Sequence, residues 1–320
     1  MPSFRHYTPS LSDDTETLAD WMELEAIRSE NGTASLRELA QTLHIAGNAE
    51  APDEAGDEND EANVEPRDYI DRLDHVIDAL QWREASCGEG AYPYMVSKVG
   101  TSLTRRSGWK TSVYIFQRLL CGYSGESRLS TGKGLLYNAR LFEALSVVSA
   151  GRYLGERAKT FHFAFPRPDK SNFQRALSAL ASATGGQPLT RLISRAEKDD
   201  GLDVFAWRPF PDDRSNYVCL FGQCAGGSNW DLKAPQPLAF LGKWIGFDTG
   251  AVLGSLFMPR MMTKTDFVGL SKVTLVFDRC RIAALVPNFE ALGPKHVEYT
   301  AWMASALTDC GARAIHAKFS

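Results

Sequence analysis

Along the 320-residue chain the spacing of apolar residues switches between two periods, and the switches divide it. Residues 14–46 follow the helical period. Leu18, Trp21, Met22 and Leu24 form one stripe, and in ASLRELAQTLHIAG Ser35 precedes Glu38 by three, a capping-box spacing. Two helices separated by Glu30-Asn31-Gly32-Thr33 have the layout of a helix-turn-helix. The second carries Arg37 as its base and otherwise reads as ordinary amphipathic packing. Residues 68–83 resume the helical period with Ile70, Leu73, Ile77 and Leu80, and 110–121 predict another helix. Residues 135–154 predict a long one, with Leu135, Tyr137, Leu141, Leu145, Val148 and Tyr153 as its apolar positions.

The period then shortens. KTFHFAF (159–165) alternates as an edge strand would, with His162 read as a packed histidine. Residues 171–184 predict a short helix ended by Gly185-Gly186. Stretches 202–210 and 217–224 read as strands joined by Pro211-Asp212-Asp213-Arg214-Ser215-Asn216, which is turn chemistry. A mildly helical stretch at 237–245, strands at 252–258 and 273–277, and a closing helix at 298–309 follow. The order predicts an α/β fold with a mixed sheet, preceded by a mainly helical N-terminal region.

Charge changes the picture in one place. The net charge of −4 argues against a nucleic-acid partner. Yet residues 50–65 hold eight acids and no base, so the remainder of the chain is positive by four. That stretch reads either as a solvated linker or as an acidic mimic of nucleic acid lying in a basic groove. The expected division is a helical segment 1–49, an acidic linker 50–66, a helical region 67–125 and a domain 126–320. No apolar run has the length of a membrane span, and the N-terminus lacks the apolar stretch of a signal peptide. The six cysteines are scattered without a CxxC pair, which reads as free thiols in a reducing cytoplasm. GESRLSTGKG (125–134) is not a phosphate loop. Gly125 stands too far from Gly132-Lys133, and Gly134 occupies the place of the magnesium-binding hydroxyl. Its basic, glycine-rich character suits contact with a phosphodiester backbone. Asp278-Arg279-Cys280-Arg281 ends a strand, with its arginines open to phosphate contact or to pairing with Asp278.

The candidate chemistry sits on the predicted hairpin. Asp203, Phe205 and Trp207 share one strand face, and Tyr217, Cys219, Phe221 and Gln223 share one face of the next. A hairpin can set Asp203 beside Gln223 at one sheet end, with Lys233 soon after, an arrangement suited to a metal ion. The same spacing also describes a half-buried hairpin with a polar end.

GLDVFAW, a turn, then LFGQCAGGSNW resembles the PD-(D/E)XK, restriction-endonuclease-like nuclease superfamily, in a variant with Gln in place of the second acid. The resemblance spans residues 135 to 282. It implies an αβββαβ core, a first acid on the helix before the sheet, and hydrolysis of phosphodiester bonds with Mg²⁺ or Mn²⁺. Carried over residue by residue, it gives Glu143 as the first acid, with Glu156 the alternative, and Asp203 and Gln223 as metal ligands with the following backbone carbonyl. Lys233 becomes the catalytic lysine, because the usual lysine position is Ala225; Lys243 is next in line. The implied function is a metal-dependent DNA endonuclease acting on double-stranded DNA in the cytoplasm, in restriction or antiviral defence. The alternative is a catalytically degenerate nuclease fold that binds nucleic acid or assembles with protein partners.

Overall fold

The computed structural model describes residues 8–49, 66–121, 135–167, 169–189, 193, 198–212, 214, 217–227, 230–246 and 251–311. The acidic stretch 50–65 and the glycine-rich stretch 125–134 lie outside the described residues.

The N-terminal layer runs α1 (Thr15–Arg28), β1 (Thr33–Ser35), α2 (Leu36–Ala49), α3 (Pro66–Ser86), β2 (Tyr94–Val96) and β3 (Ser102–Arg105). Asp14 caps α1 by accepting the Thr17 N–H at 2.6 Å. The Ser35–Glu38 capping box forms as its spacing requires: Glu38 accepts the Ser35 N–H at 2.7 Å, and the Ser35 hydroxyl accepts the Glu38 N–H at 3.2 Å. Between α1 and α2 the chain makes β1, which pairs antiparallel with β3; β2 pairs on the other side of β3. These strands of three or four residues are too short to announce a period in the sequence.

The second part contains α4 (Val113–Cys121), α5 (Leu135–Leu154), β4 (Lys159–His162), α6 (Phe173–Thr184), β5 (Gln187–Pro188), β6 (Val204–Arg208) and β7 (Val218–Cys224). It continues with α7 (Gln236–Trp244), β8 (Ile245–Gly246), β9 (Val252–Phe257), α8 (Lys264–Ser271), β10 (Leu275–Phe277), α9 (Arg279–Leu285) and α10 (His296–Asp309). Its main sheet has the order β10-β9-β7-β6-β4 among the described residues. β4, β6 and β7 are successively antiparallel, whereas β7, β9 and β10 are parallel. The sheet is mixed, as the sequence predicts. The helices α8 and α9 were not foreseen; what reads as a basic strand end is the start of α9, capped by Asp278, which accepts the Arg281 N–H at 3.0 Å.

β6 has no polar alternation because both its faces are covered. Val204 and Ala206 join the core shared with α5, while Phe205 and Trp207 join the aromatic cluster of Phe173, Phe240 and Trp244 on α6 and α7. Two glycines permit the close fit. A Cβ at Gly151 on α5 would lie 2.9 Å from Thr160 Cγ2 of β4, and one at Gly222 on β7 would lie 2.6 Å from the Phe257 ring.

One apolar core runs from Leu18 on α1 to Ala306 on α10, so the N-terminal layer and the sheet part share a core. Buried charges cross the same boundary. Arg279 donates to both carboxylate oxygens of Asp20, at 2.8 and 2.9 Å. Arg83 donates to Asp20 and Glu23 at 2.8 Å each, and Tyr92 and Tyr114 both donate to Glu23. Arg279 therefore does not face outward toward a phosphate, and neither does it pair with Asp278 as a surface ion pair would. The Arg281 side chain donates to the Val276 carbonyl and lies 4.5 Å over the Phe267 ring. The cysteines are not all free: Cys87, just after α3, is disulfide-bonded to Cys280 on α9, while Cys121, Cys219, Cys224 and Cys310 are free. No helix among the described residues is long and apolar enough to cross a membrane.

Candidate functional site

Asp203 stands immediately before β6. The ladder sets Val204 opposite Gly222, yet the Asp203 N–H also donates to the Gly222 carbonyl, at 2.9 Å. Two residues of one strand thus address a single residue of the next, the two-to-one count of a β-bulge, and a bulge re-aims the side chain it carries. The Asp203 carboxylate reaches the end of β7, where it accepts the Cys224 N–H at 2.7 Å.

From the other side, Lys233 reaches the backbone of the same residue. It closes the short 3-10 turn Asp231–Lys233, and its ammonium donates to the Cys224 carbonyl at 3.2 Å. One carboxylate and one lysine therefore bracket the Cys224 backbone. Glu143 projects from the middle of α5, and its carboxylate lies 3.1 Å from His162 Nε2 of β4. Burial, followed by the Glu143 carboxylate, pushes the Asp203 carboxyl well above the usual carboxylate range; the Cys224 N–H and Lys233 pull the other way. Burial, then Asp203 and Glu143, likewise raises the Cys224 thiol. Two acids, one cation and the backbone N–H and carbonyl of Cys224 thus converge at the sheet end.

Gln223 behaves differently. Alternation along β7 puts it with Phe221, facing α7, whereas Leu220 and the partly buried Cys224 pack with the core on the α5 side. Its partner across the parallel ladder is Leu256. The Gln223 side-chain oxygen is buried and has no hydrogen-bond partner among the described residues. Ala225, where the lysine would ordinarily stand, is fully buried. Lys243 is committed elsewhere, 2.8 Å from Asp200. Glu156 lies past the end of α5.

His162 is the member of this cluster that sequence reasoning set aside. The alternation of KTFHFAF already put Thr160 and His162 on one face and Phe161 and Phe163 on the other. Only the approach of α5, brought close by Gly151, shows that this face meets Glu143.

The donor set suits a hard divalent cation in its chemistry: two carboxylates and a backbone carbonyl, all oxygen. Among the described residues no three His, Cys, Asp or Glu side chains stand close enough to enclose an ion by themselves. A magnesium ion is ordinarily held by one or two carboxylates with water and substrate phosphates supplying the rest. Two cavities, of about 100 and 770 Å³, open elsewhere on the molecule, and none of Glu143, Asp203, Gln223 and Lys233 lines them.

No protein-family profile, curated protein or solved structure matches this chain.

Proposed function

We propose that this protein is a metal-dependent nuclease of the PD-(D/E)XK kind, hydrolysing phosphodiester bonds in DNA. The observation that carries the reading is the bracketing of the Cys224 backbone: Asp203 on its N–H at 2.7 Å and Lys233 on its carbonyl at 3.2 Å. The element order α5, β4, β6, β7, α7, β9, with α6 and the two-residue strands β5 and β8 inserted, supports an αβββαβ core.

In this reading Asp203, Glu143 and the Cys224 carbonyl would hold Mg²⁺ or Mn²⁺. The bound ion would supply an activated water and charge screening for the leaving oxygen. The chain's own groups do the positioning. The Cys224 N–H fixes one oxygen of Asp203 and leaves the other for a ligand. Lys233, released from the Cys224 carbonyl, gives a cation beside the scissile phosphate. His162 orients Glu143. Of the two neutral ligands that the resemblance implies, the backbone carbonyl of Cys224 is retained and Gln223, which faces the α7 layer, is not.

A second reading, a nuclease fold that binds nucleic acid or assembles with partners without cutting, is favoured by Ala225 at the lysine position and by the lysine and histidine already engaged with Cys224 and Glu143. Incubation of supercoiled plasmid with Mg²⁺ or Mn²⁺, comparing wild type and Asp203→Ala, separates the two. Nicking that is lost in Asp203→Ala supports the nuclease. Retention of plasmid without nicking supports the second reading, and nicking unaffected by Asp203→Ala removes the site as assigned.

A further inference from the structure

The sequence singles out residues 68–83 as an amphipathic helix, and no part of the β7 site uses that helix. Its buried face, with Val76, Ile77, Leu80 and Arg83, packs into the N-terminal core. Its other face is unusual in charge. From Asp71 to Ser86 the exposed positions are Asp71, Asp74, His75, Asp78, Gln81, Trp82, Ala85 and Ser86: three acids and no Lys or Arg. Asp71, Asp74, Asp78 and Trp82 follow one another at steps of three, four and four, so they form one stripe. Trp82 is 51 % exposed, a large aromatic surface to leave in water.

This stripe borders the larger cavity. About 770 Å³ of space opens between the second half of α3 and the start of α8, with Ala79, Trp82, Met262, Phe267 and Val268 as its apolar walls. Val268 is itself 49 % exposed. Of the acids that line it, Glu16 is held by Arg83 and Asp278 caps α9, which leaves Asp78 at the mouth. Of its cations, Arg281 is turned onto Phe267, and Lys264 is exposed at the first position of α8.

We infer that the cleft between α3 and α8 docks a basic segment of a partner protein. An apolar anchor of that segment enters between Trp82 and Phe267, while Lys or Arg side chains lie along Asp78, Asp74 and Asp71. Charge complementarity selects this occupant. A row of three exposed acids repels a phosphodiester backbone and attracts cations. A Lys or Arg over the Trp82 face adds a cation–π contact. The acidic stripe runs on past the cleft, Asp71 to Ala85 spanning about 21 Å of helix axis, so an extended occupant can use both. An apolar cleft at Trp82, continued along α3 by exposed Asp74 and Asp71 outside the cleft itself, fits the recognition of an amphipathic segment by its i, i+3, i+4 anchors. The inference is independent of the reading of the β7 site.

The test uses the full chain and a fluorescein-labelled helical peptide of about 14 residues, with Leu and Phe on one face and Lys on the other. A second peptide has every Lys replaced by Glu, and a short DNA duplex serves as competitor. Binding is read by anisotropy for wild type, Trp82→Ala, Asp74→Lys/Asp78→Lys and Lys264→Glu, each checked by circular dichroism. The expected result is binding of the Lys peptide alone, weakened about tenfold by Trp82→Ala, abolished by the double lysine variant, strengthened by Lys264→Glu and weakened by salt. Equal binding of the Glu peptide, or binding that ignores Trp82 and Asp78, overturns the inference. Displacement of the peptide by the duplex also overturns it and assigns the cleft to nucleic acid.

Discussion

Asp203 carries two opposed demands. Its carboxylate is needed as an anion if a cation is to sit beside it, yet burial and Glu143 both favour the protonated form. Its folded-state pKa is raised, so between the ordinary carboxylate value of about 4 and that raised value the folded chain holds a proton that the unfolded chain has released. Stability therefore falls as pH rises through this window. Asp203→Asn keeps the acceptor for the Cys224 N–H and removes the charge. Without divalent cations this variant is expected to melt higher than wild type at neutral pH, and to lose any stabilisation by Mg²⁺ or Mn²⁺ that the wild type shows. Thermal melts across pH, with and without the cation, check both halves. Gln223 gives the contrasting case. Were its oxygen a ligand, Gln223→Glu would keep that oxygen and tighten the ion. Facing the α7 layer beside Leu256, the same change buries an unpaired carboxylate. A loss of about 3–5 kcal/mol in urea unfolding, with no gain in cation affinity, is expected.

At the scale of elements, the approach of β7 to β9 and of α5 to β4 sets the width of the site. Gly222 is the tightest point, since a Cβ there would lie 2.6 Å from Phe257 and 2.7 Å from the Ser255 hydroxyl. Phe257 stacks on Phe277 with ring centroids 4.5 Å apart, so it has little room to yield. Gly222→Ala is therefore expected to cost about 1–3 kcal/mol through overpacking. Because Gly222 also receives the Asp203 N–H, the variant should lower cleavage more than its stability loss explains. Parallel measurements of urea midpoint and initial cleavage rate separate the two effects. The bulge at Asp203 belongs to this scale as well: it is a property of two strands together, and neither strand contains it alone.

Over the whole molecule, the buried network of Asp20, Glu23, Arg83, Arg118 and Arg279 ties the N-terminal layer to the chain after β10. Burial alone would raise the Asp20 carboxyl, but Arg279, Arg118 and Arg83 outweigh it and hold the group far below the usual range. Its contribution is fully present above the unfolded value of 3.8 and is lost as pH falls below it. Asp20→Asn leaves the three arginines facing a neutral amide. The expected loss at neutral pH is about 3–5 kcal/mol, the range for breaking a buried ion pair by removing one partner. The variant should also show a weaker fall in stability between about pH 4 and pH 2 than wild type. Chemical denaturation at several pH values tests both expectations.

The sequence by itself determined the elements whose signal is local. The helix period marked α5 at its observed bounds and placed α1, α3, α4, α6 and α10. Alternation marked β4, strand-forming runs bounded by turn residues marked β6, β7 and β9, and the Ser35–Glu38 spacing marked a helix start, because these signals act between residues close in sequence and need no help from the rest of the chain. The same alternation brought Asp203 and Gln223 to one sheet end. Which way each points was decided only by tertiary structure. The bulge turns Asp203 toward Cys224, and the covering helices assign Gln223 to the α7 layer. Lys233 reaches the Cys224 carbonyl because the turn after β7 folds back. His162 meets Glu143 only because Gly151 lets α5 close on β4. Arg279 finds Asp20, and Cys87 finds Cys280, across 259 and 193 residues of chain respectively. Such partners are chosen by the packing of whole layers, and no spacing along the sequence records that packing.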